Sequence, residues 1–134
     1  MASQPRTIPK FTLRFVWLLA IAVVIVGSLL PNTSPAMRAL NSFHFSDTFE
    51  HFCAYAFLAF LPALHERRRF TLLAALGAVS LGVSLEFAQL FADGRSWQFS
   101  DIGADASGVC VGLLMGIPMR FVPMVRLRLP GTTK

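Results

Sequence analysis

Four apolar blocks separated by short polar stretches occupy most of the chain. They run over about residues 13–31, 47–64, 70–91 and 102–125. An α-helix rises about 1.5 Å per residue and the hydrocarbon core of a bilayer is about 30 Å thick, so each block is close to one membrane crossing in length. Only 14% of the 134 residues are charged, which is too few for the surface of a soluble domain this small. We therefore predict an all-α polytopic membrane protein, a bundle of four transmembrane helices that forms a single domain over residues 1–134.

The basic residues predict which way this bundle faces. Lysine and arginine concentrate in the cytoplasmic loops of membrane proteins. Here only Arg38 and Arg95 lie in the two loops that follow the first and third apolar blocks, which are on one side of the predicted bundle. The pattern predicts an N-in, C-in, multi-pass protein of the inner (plasma) membrane, with basic cytoplasmic ends at 1–12 and 126–134. Insertion accounts for the net charge of +5, so no nucleic-acid partner is predicted. The ten basic residues on the other side are Arg6, Lys10, Arg14, Arg67, Arg68, Arg69, Arg120, Arg126, Arg128 and Lys134.

The carboxylates are segregated in the opposite sense. Six of the seven lie in the two predicted outward loops or in the helix ends beside them. Carboxylates contribute little to topology, so insertion does not explain their placement. Residues three or four positions apart share a helix face, and three predicted helices each carry such a set. The sets are Asp47, Glu50 and His51, with Tyr55 one turn deeper; Glu86 and Gln89; and Asp101 and Asp105.

Ionisable groups inside a membrane cost about 2.5–3.5 kcal/mol each on insertion scales, and they usually face a polar interior. We therefore predict a shared polar site built on His51, Glu86 and Arg95, joined by the other residues of the three sets. A simpler interpretation holds for Asp47 and Asp101, because each begins a predicted helix, where a carboxylate can cap the backbone N–H groups.

Glycines continue the face that carries Asp101 and Asp105. Gly108, Gly112 and Gly116 follow at steps of four residues. Small residues at this spacing let the backbones of two membrane helices approach closely. We therefore predict that another helix packs against these three glycines.

Four strings together resemble a known family. They are Asp47-Thr-Phe-Glu-His-Phe-Cys-Ala-Tyr55, Glu86-Phe-Ala-Gln89, Gly94-Arg95, and Ser100-Asp-Ile-Gly-Ala-Asp-Ala-Ser-Gly108. In order and spacing they are similar to the VanZ-like family of small bacterial membrane proteins of the teicoplanin-resistance type, over about residues 45–116. The resemblance implies a protein of the cell envelope and a link to antibiotic resistance, through susceptibility to glycopeptides such as teicoplanin. The chain departs from the family pattern at two positions, with Thr48 in place of a lysine and Asp105 in place of an asparagine.

Three classes of function stay open at this point. The first is a binding or structural protein whose partners are membrane lipids, a lipid-linked envelope precursor or a glycopeptide. In this class Glu86–Arg95 and His51–Asp101 would be structural pairs. The second is a membrane enzyme with His51 as general acid or base, Glu86 as its partner and Arg95 as an anion clamp. The third is proton or ion movement, which would need a homo-oligomer. A divalent ion held by His51, Glu86 and Asp105 is one form of the enzyme hypothesis. We predict no resident metal or cofactor, because the sequence has no HExxH or GxSxG motif and the cluster contains one histidine.

Overall fold

The computed structural model describes residues 10–31, 33–42, 45–91 and 98–121 of the chain. All the regular structure in these ranges is helical, and they contain no strand, so the all-α prediction is confirmed. The helices, in chain order, are α1 (Lys10–Leu29), α2 (Pro35–Asn41), α3 (Asp47–His65), α4 (Arg68–Gln89) and α5 (Phe99–Met119).

Three of the helices in the described ranges, α1, α4 and α5, are long and apolar enough to cross a membrane. The protein is therefore of the membrane type. Helix α3 has 19 residues but does not meet the same criterion of length and composition. Its first turns contain Asp47, Glu50 and His51, and these side chains lower its mean hydropathy.

The observed helices differ most from the predicted blocks in two places. A short helix, α2, lies where the sequence indicated only a loop. It forms because the Ser34 hydroxyl accepts the Met37 N–H at 3.3 Å, and because proline suits the first position of a helix. Helix α5 begins three residues before the predicted 102 and ends at Met119, with Pro118 in its last turn, rather than at 125. Pro118 has no N–H to donate to the carbonyl four residues earlier, which weakens the helix ladder near this end.

Helices α3 and α5 run side by side and parallel over their whole length. Near their starts, the Thr48 hydroxyl donates to Asp101 Oδ1 at 2.9 Å. At their far ends, Arg120 Nε donates to the Ala63 carbonyl at 2.9 Å. Between these points the glycine face of α5 lies directly on α3. A methyl group added to Gly112 would run into the backbone of Ala56 and Phe60, one on Gly108 into that of Phe52 and Ala56, and one on Gly116 into Phe60 and Ala63.

Helix α1 is attached to α3 through a tryptophan. The indole N–H of Trp17 donates to the Leu58 carbonyl at 2.8 Å. In an unbroken helix this carbonyl would accept the N–H of the residue four positions later, but that residue is Pro62, which has no N–H. Trp17 therefore supplies the donor that α3 lacks. Trp17, Ile21 and Val24 also pack against the buried core around Leu58.

One end of the bundle is held by arginine side chains, and we call it the basic end. Arg14 of α1 binds Glu66, the residue that ends α3, through Nε at 2.6 Å and Nη2 at 3.1 Å. Hydrogen bonding to Arg14, and then the charge of its guanidinium, hold the pKa of the buried Glu66 carboxyl below its ordinary value. At the same end, Arg120, which ends α5, donates to a carbonyl in the last turn of α3.

Candidate functional site

Four ionisable side chains from three helices meet at the end of the bundle opposite the basic end. We call this set the polar cluster: His51 of α3, Glu86 of α4, and Asp101 and Asp105 of α5. One ligand atom each of His51, Glu86 and Asp101 lie within 4.8 Å of one another. Glu86, Asp101 and Asp105 are buried, while the His51 side chain keeps 12% of its surface exposed. Three carboxyl groups and one imidazole thus share a small buried volume.

The His51 side chain contacts a carboxylate and an aromatic ring. Its Nδ1 lies 2.9 Å from Asp105 Oδ1. Its ring lies parallel to that of Tyr55, with 6.3 Å between centroids. The Tyr55 side chain is buried, and its hydroxyl has no hydrogen-bond partner in the described part of the chain. Because Asp105 occupies Nδ1, the other ring nitrogen, Nε2, is the one left for a ligand.

The partner of His51 differs from the one expected for a structural network. The sequence suggested a His51–Asp101 pair. In the structure His51 instead contacts Asp105, and Asp101 accepts a hydrogen bond from Thr48. The cause is the parallel register of α3 and α5, in which Thr48 faces Asp101 and His51 faces Asp105 one turn further along. Asp101 Oδ1 also accepts from the Ser100 hydroxyl at 3.3 Å.

Glu86 is the most deeply buried of the acids, with no exposed surface. Its Oε2 accepts the backbone N–H of Gln98 at the long distance of 3.4 Å. Its Oε1 is buried and has no hydrogen-bond partner among the residues described. The predicted partner, Arg95, lies outside the described residues, so the Glu86–Arg95 pair stays a prediction.

The remaining residues of the predicted network lie around the cluster in different roles. Asp47 is exposed and Glu50 is half-buried. Asp47 does not cap α3, because the Ser46 hydroxyl accepts the Phe49 N–H at 3.3 Å in that role. Gln89 points to α1, where its amide donates to the Ser28 carbonyl at 3.2 Å. Gly108 follows Asp105 by one turn and lies against the Phe52 backbone, so the cluster and the glycine face are continuous.

A cavity of about 420 Å³ opens beside the polar cluster, between α1 and α3. Its walls are mainly apolar, with Val23 and Val24 on one side, Ala54 on the other and Met37 of α2 at one end. Its polar residues are Ser28, Asp47, Glu50, His51 and Tyr55. His51 therefore borders the cavity and at the same time bonds into the cluster.

A sequence model of the VanZ/LLP1 family matches residues 4–120. The chain belongs to the VanZ/LLP1 family. This confirms the resemblance to the VanZ-like family, and the match extends over all five described helices. Comparison with curated proteins gives no match, and comparison with solved structures gives none either.

Sequence reasoning misses two sets of residues in this VanZ/LLP1 chain. In the sequence Thr48 stands out only as a departure from the family pattern, yet it binds Asp101. Its position three residues before His51 on the same helix face is the available signal. At the basic end, the Arg14–Glu66 pair joins residues 52 positions apart, and nothing in local spacing indicates such a contact. Glu66 is the one carboxylate that lies among the arginines, and that isolation is the only hint.

Proposed function

We propose that this VanZ/LLP1 protein is a four-span, N-in, C-in protein of the plasma membrane that binds an amphiphilic lipid of the cell envelope. The lipid tail occupies the cavity between α1 and α3, and its head lies at the polar cluster. The observation that carries the proposal is the position of His51, which borders an apolar cavity and bonds to a buried carboxylate at the same time.

The parallel packing of α3 and α5 supports the fourth span. Helix α5 is long and apolar enough to cross a membrane, and α3 lies beside it from Thr48–Asp101 to Ala63–Arg120. A helix of 19 residues is about 28 Å long, close to the thickness of the hydrocarbon core. Helix α3 therefore crosses the same layer as α5, with its polar first turns against partner helices.

The distribution of charge supports the orientation. Arg14, Glu66 and Arg120 meet at one end, where α1 and α4 begin and where α3 and α5 end. The other basic residues of the chain termini and of the α3–α4 turn adjoin this end in sequence. By the positive-inside rule the basic end is cytoplasmic, and the polar cluster faces the outer side of the membrane.

The shape and chemistry of the cavity support a lipid as the ligand. Its volume of about 420 Å³ is within the usual range of small-ligand pockets, about 300–1,000 Å³. Its apolar walls suit an acyl or prenyl chain, whereas the side chains of Glu50 and His51 at its polar end suit a head group. Since the cavity is open between two helices, a lipid can enter it from within the membrane.

Photo-crosslinking tests this proposal in the full chain. Membranes that contain the protein are treated with a photoactivatable polyprenyl phosphate or phosphatidylglycerol. We expect Ala54→Trp, which fills the cavity, to reduce labelling at least fivefold. The matched control is Ala22→Trp, since Ala22 is exposed on α1 and does not line the cavity. Equal labelling of the two variants, with both melting like the wild type, would count against lipid binding in this cavity.

A second candidate function is catalysis on such a lipid. It is favoured by the His51–Asp105 contact, because a carboxylate on one ring nitrogen orients the other nitrogen for proton transfer. His51 would be the general acid or base, with Glu86 beside it and Arg95 as the predicted anion clamp. An enzyme converts the bound lipid, so the product is sought by mass spectrometry with wild type and His51→Gln. Unchanged lipid with the wild type would leave binding as the function.

The family name supports a phenotype test as well. We propose that expression of the protein in a susceptible bacterium changes the inhibitory concentration of teicoplanin, and that Glu86→Gln abolishes the change. An effect that persists in Glu86→Gln at equal expression would separate any resistance from the polar cluster.

A further inference from the structure

We infer that His51, Glu86 and Asp101 form a binding site for a divalent transition-metal ion of the Zn²⁺ or Mn²⁺ kind. The inference deepens the proposed function, because it concerns the polar end of the same cavity, but ion binding itself does not require a lipid. Asp105 acts as a positioning residue for His51.

The separation of the three side chains fits a single ion. Zinc binds imidazole nitrogen and carboxylate oxygen at about 2.0–2.2 Å, so two donors on one ion are at most about 4.4 Å apart. The ligand atoms of His51, Glu86 and Asp101 already lie within 4.8 Å of one another. A closer approach of these atoms through side-chain rotation would complete the coordination.

Each of the three side chains has one polar atom held by a neighbour and a second atom left over. His51 binds Asp105 through Nδ1, Asp101 binds Thr48 through Oδ1, and Glu86 accepts the Gln98 N–H through Oε2. A metal-binding histidine usually donates its second ring N–H to a carboxylate, which fixes its tautomer and orientation. The His51–Asp105 contact has this form, and it leaves Nε2 for the ion.

The environment of the Glu86 carboxyl group favours a bound cation, independently of the distances between the ligand atoms. Its side chain has no exposed surface, and its Oε1 has no hydrogen-bond partner within the described ranges. A buried carboxylate oxygen without a partner is unfavourable by several kcal/mol when the group is ionised. If all three carboxyl groups are ionised, their negative charge exceeds the positive charge of a protonated His51. An ion in direct contact with Oε1 compensates both the missing partner and the charge.

The donor set selects the class of ion. One nitrogen and two carboxylate oxygens, with no thiolate, favour Zn²⁺, Mn²⁺ or Fe²⁺ over Ca²⁺ or Mg²⁺, which prefer oxygen donors alone. Three protein ligands leave at least one coordination position open, as in catalytic zinc sites. A bound ion at the polar cluster would add attraction for a lipid phosphate beside the cavity, which favours an anionic head group as the ligand class.

Metal binding is tested on the purified full chain in detergent. Protein is stripped with EDTA and titrated with Mn²⁺, which is followed by electron paramagnetic resonance, and Zn²⁺ is then added as a competitor. We expect one Mn²⁺ per chain in the wild type, displaced by Zn²⁺. Glu86→Gln and Asp101→Asn should each weaken Mn²⁺ binding at least about tenfold, and Asp105→Asn about tenfold, the usual effect of losing a carboxylate that orients a ligand.

Glu66→Gln is the matched control. It makes the same change as Glu86→Gln but at the basic end, so it should lower the melting temperature and leave Mn²⁺ affinity unchanged. Added Mn²⁺ should raise the melting temperature of the wild type and of Glu66→Gln, but not that of Glu86→Gln. Absence of Mn²⁺ binding by the wild type, or wild-type affinity in both Glu86→Gln and Asp101→Asn, would overturn the site.

Lipid labelling and Mn²⁺ binding, both measured on the full chain, separate this inference from the proposed function. Mn²⁺ binding without lipid labelling would overturn the lipid proposal and support the metal site. Lipid labelling by a protein that does not bind Mn²⁺ would overturn the metal site alone.

Discussion

Glu66 shows how one residue couples the stability of the bundle to pH. Its pKa is lower in the folded protein than in the unfolded chain, because Arg14 binds and stabilises the charged form. The pair therefore stabilises the fold above the ordinary glutamate pKa of about 4.3, and this contribution is lost as the pH falls through the lower pKa of the folded state.

We expect the melting temperature in detergent to fall more steeply as the pH drops below about 4.3 in the wild type than in Glu66→Gln. The difference between the two proteins isolates Glu66 from the other acids, which titrate in both. Parallel pH profiles would mean that the Arg14–Glu66 contact does not contribute to stability.

At the scale of single residues, the sequence indicates which side chains share a helix face, whereas it does not determine which side chains they bind. His51, Glu86 and Asp101 each belong to a set of polar residues spaced three or four positions apart on its own helix, and this spacing is visible without any knowledge of packing. The partner of His51 depends on the register between α3 and α5, which local spacing does not determine. For the same reason the Thr48–Asp101 and Arg14–Glu66 contacts could not be predicted.

At the scale of the helix, α3 tolerates a proline because α1 supplies the missing donor. Trp17→Phe leaves the Leu58 carbonyl without the indole N–H, and an unsatisfied buried acceptor costs about 1–3 kcal/mol. Pro62→Ala restores a backbone N–H four residues after Leu58. We expect Trp17→Phe to be clearly less destabilising in the Pro62→Ala background, as measured by a double-mutant cycle of detergent or urea unfolding. Additive effects would show that the indole N–H does not replace the helix bond.

The glycine face of α5 gives a second prediction at this scale. In Gly112→Ala the added methyl group meets the backbone of α3, so we expect a loss of about 1–3 kcal/mol of unfolding free energy. Gly103 is on the same helix, and a methyl group added there would meet nothing within 4 Å in the described part of the chain. Gly103→Ala should therefore be neutral or stabilising by up to about 1 kcal/mol, from helix propensity. The opposite signs of the two effects are the test, and equal effects would argue against close packing at Gly112.

The helices themselves were predictable to within a few residues at most ends, because apolar length and capping residues are local properties. Helix α2 was missed because seven residues are too few to show a periodic apolar pattern. The end of α5 was placed too late because the apolar composition continues beyond Met119, whereas Pro118 in the last turn limits the helix.

At the scale of the whole molecule, the proposed four crossings would put the two ends of α3 on opposite sides of the membrane. Single cysteines at Ser42, Arg67, Gln98 and Phe121 test this in a full chain that lacks Cys53 and Cys110. We expect an impermeant thiol reagent to label Ser42→Cys and Gln98→Cys in intact cells. Arg67→Cys and Phe121→Cys should react only after permeabilisation. Labelling of Ser42→Cys and Arg67→Cys from the same side would contradict a fourth span.

In the proposed topology, the order of synthesis matters for α3. Helix α3 is synthesised before α5, yet by length and composition it does not qualify as a membrane span on its own. Thr48 and His51 in its first turns bind Asp101 and Asp105 of α5, and its backbone packs on the glycine face of the same helix. We therefore expect stable insertion of α3 to follow the synthesis of α5, and a nascent chain that stops before α5 to leave His51 without its carboxylate.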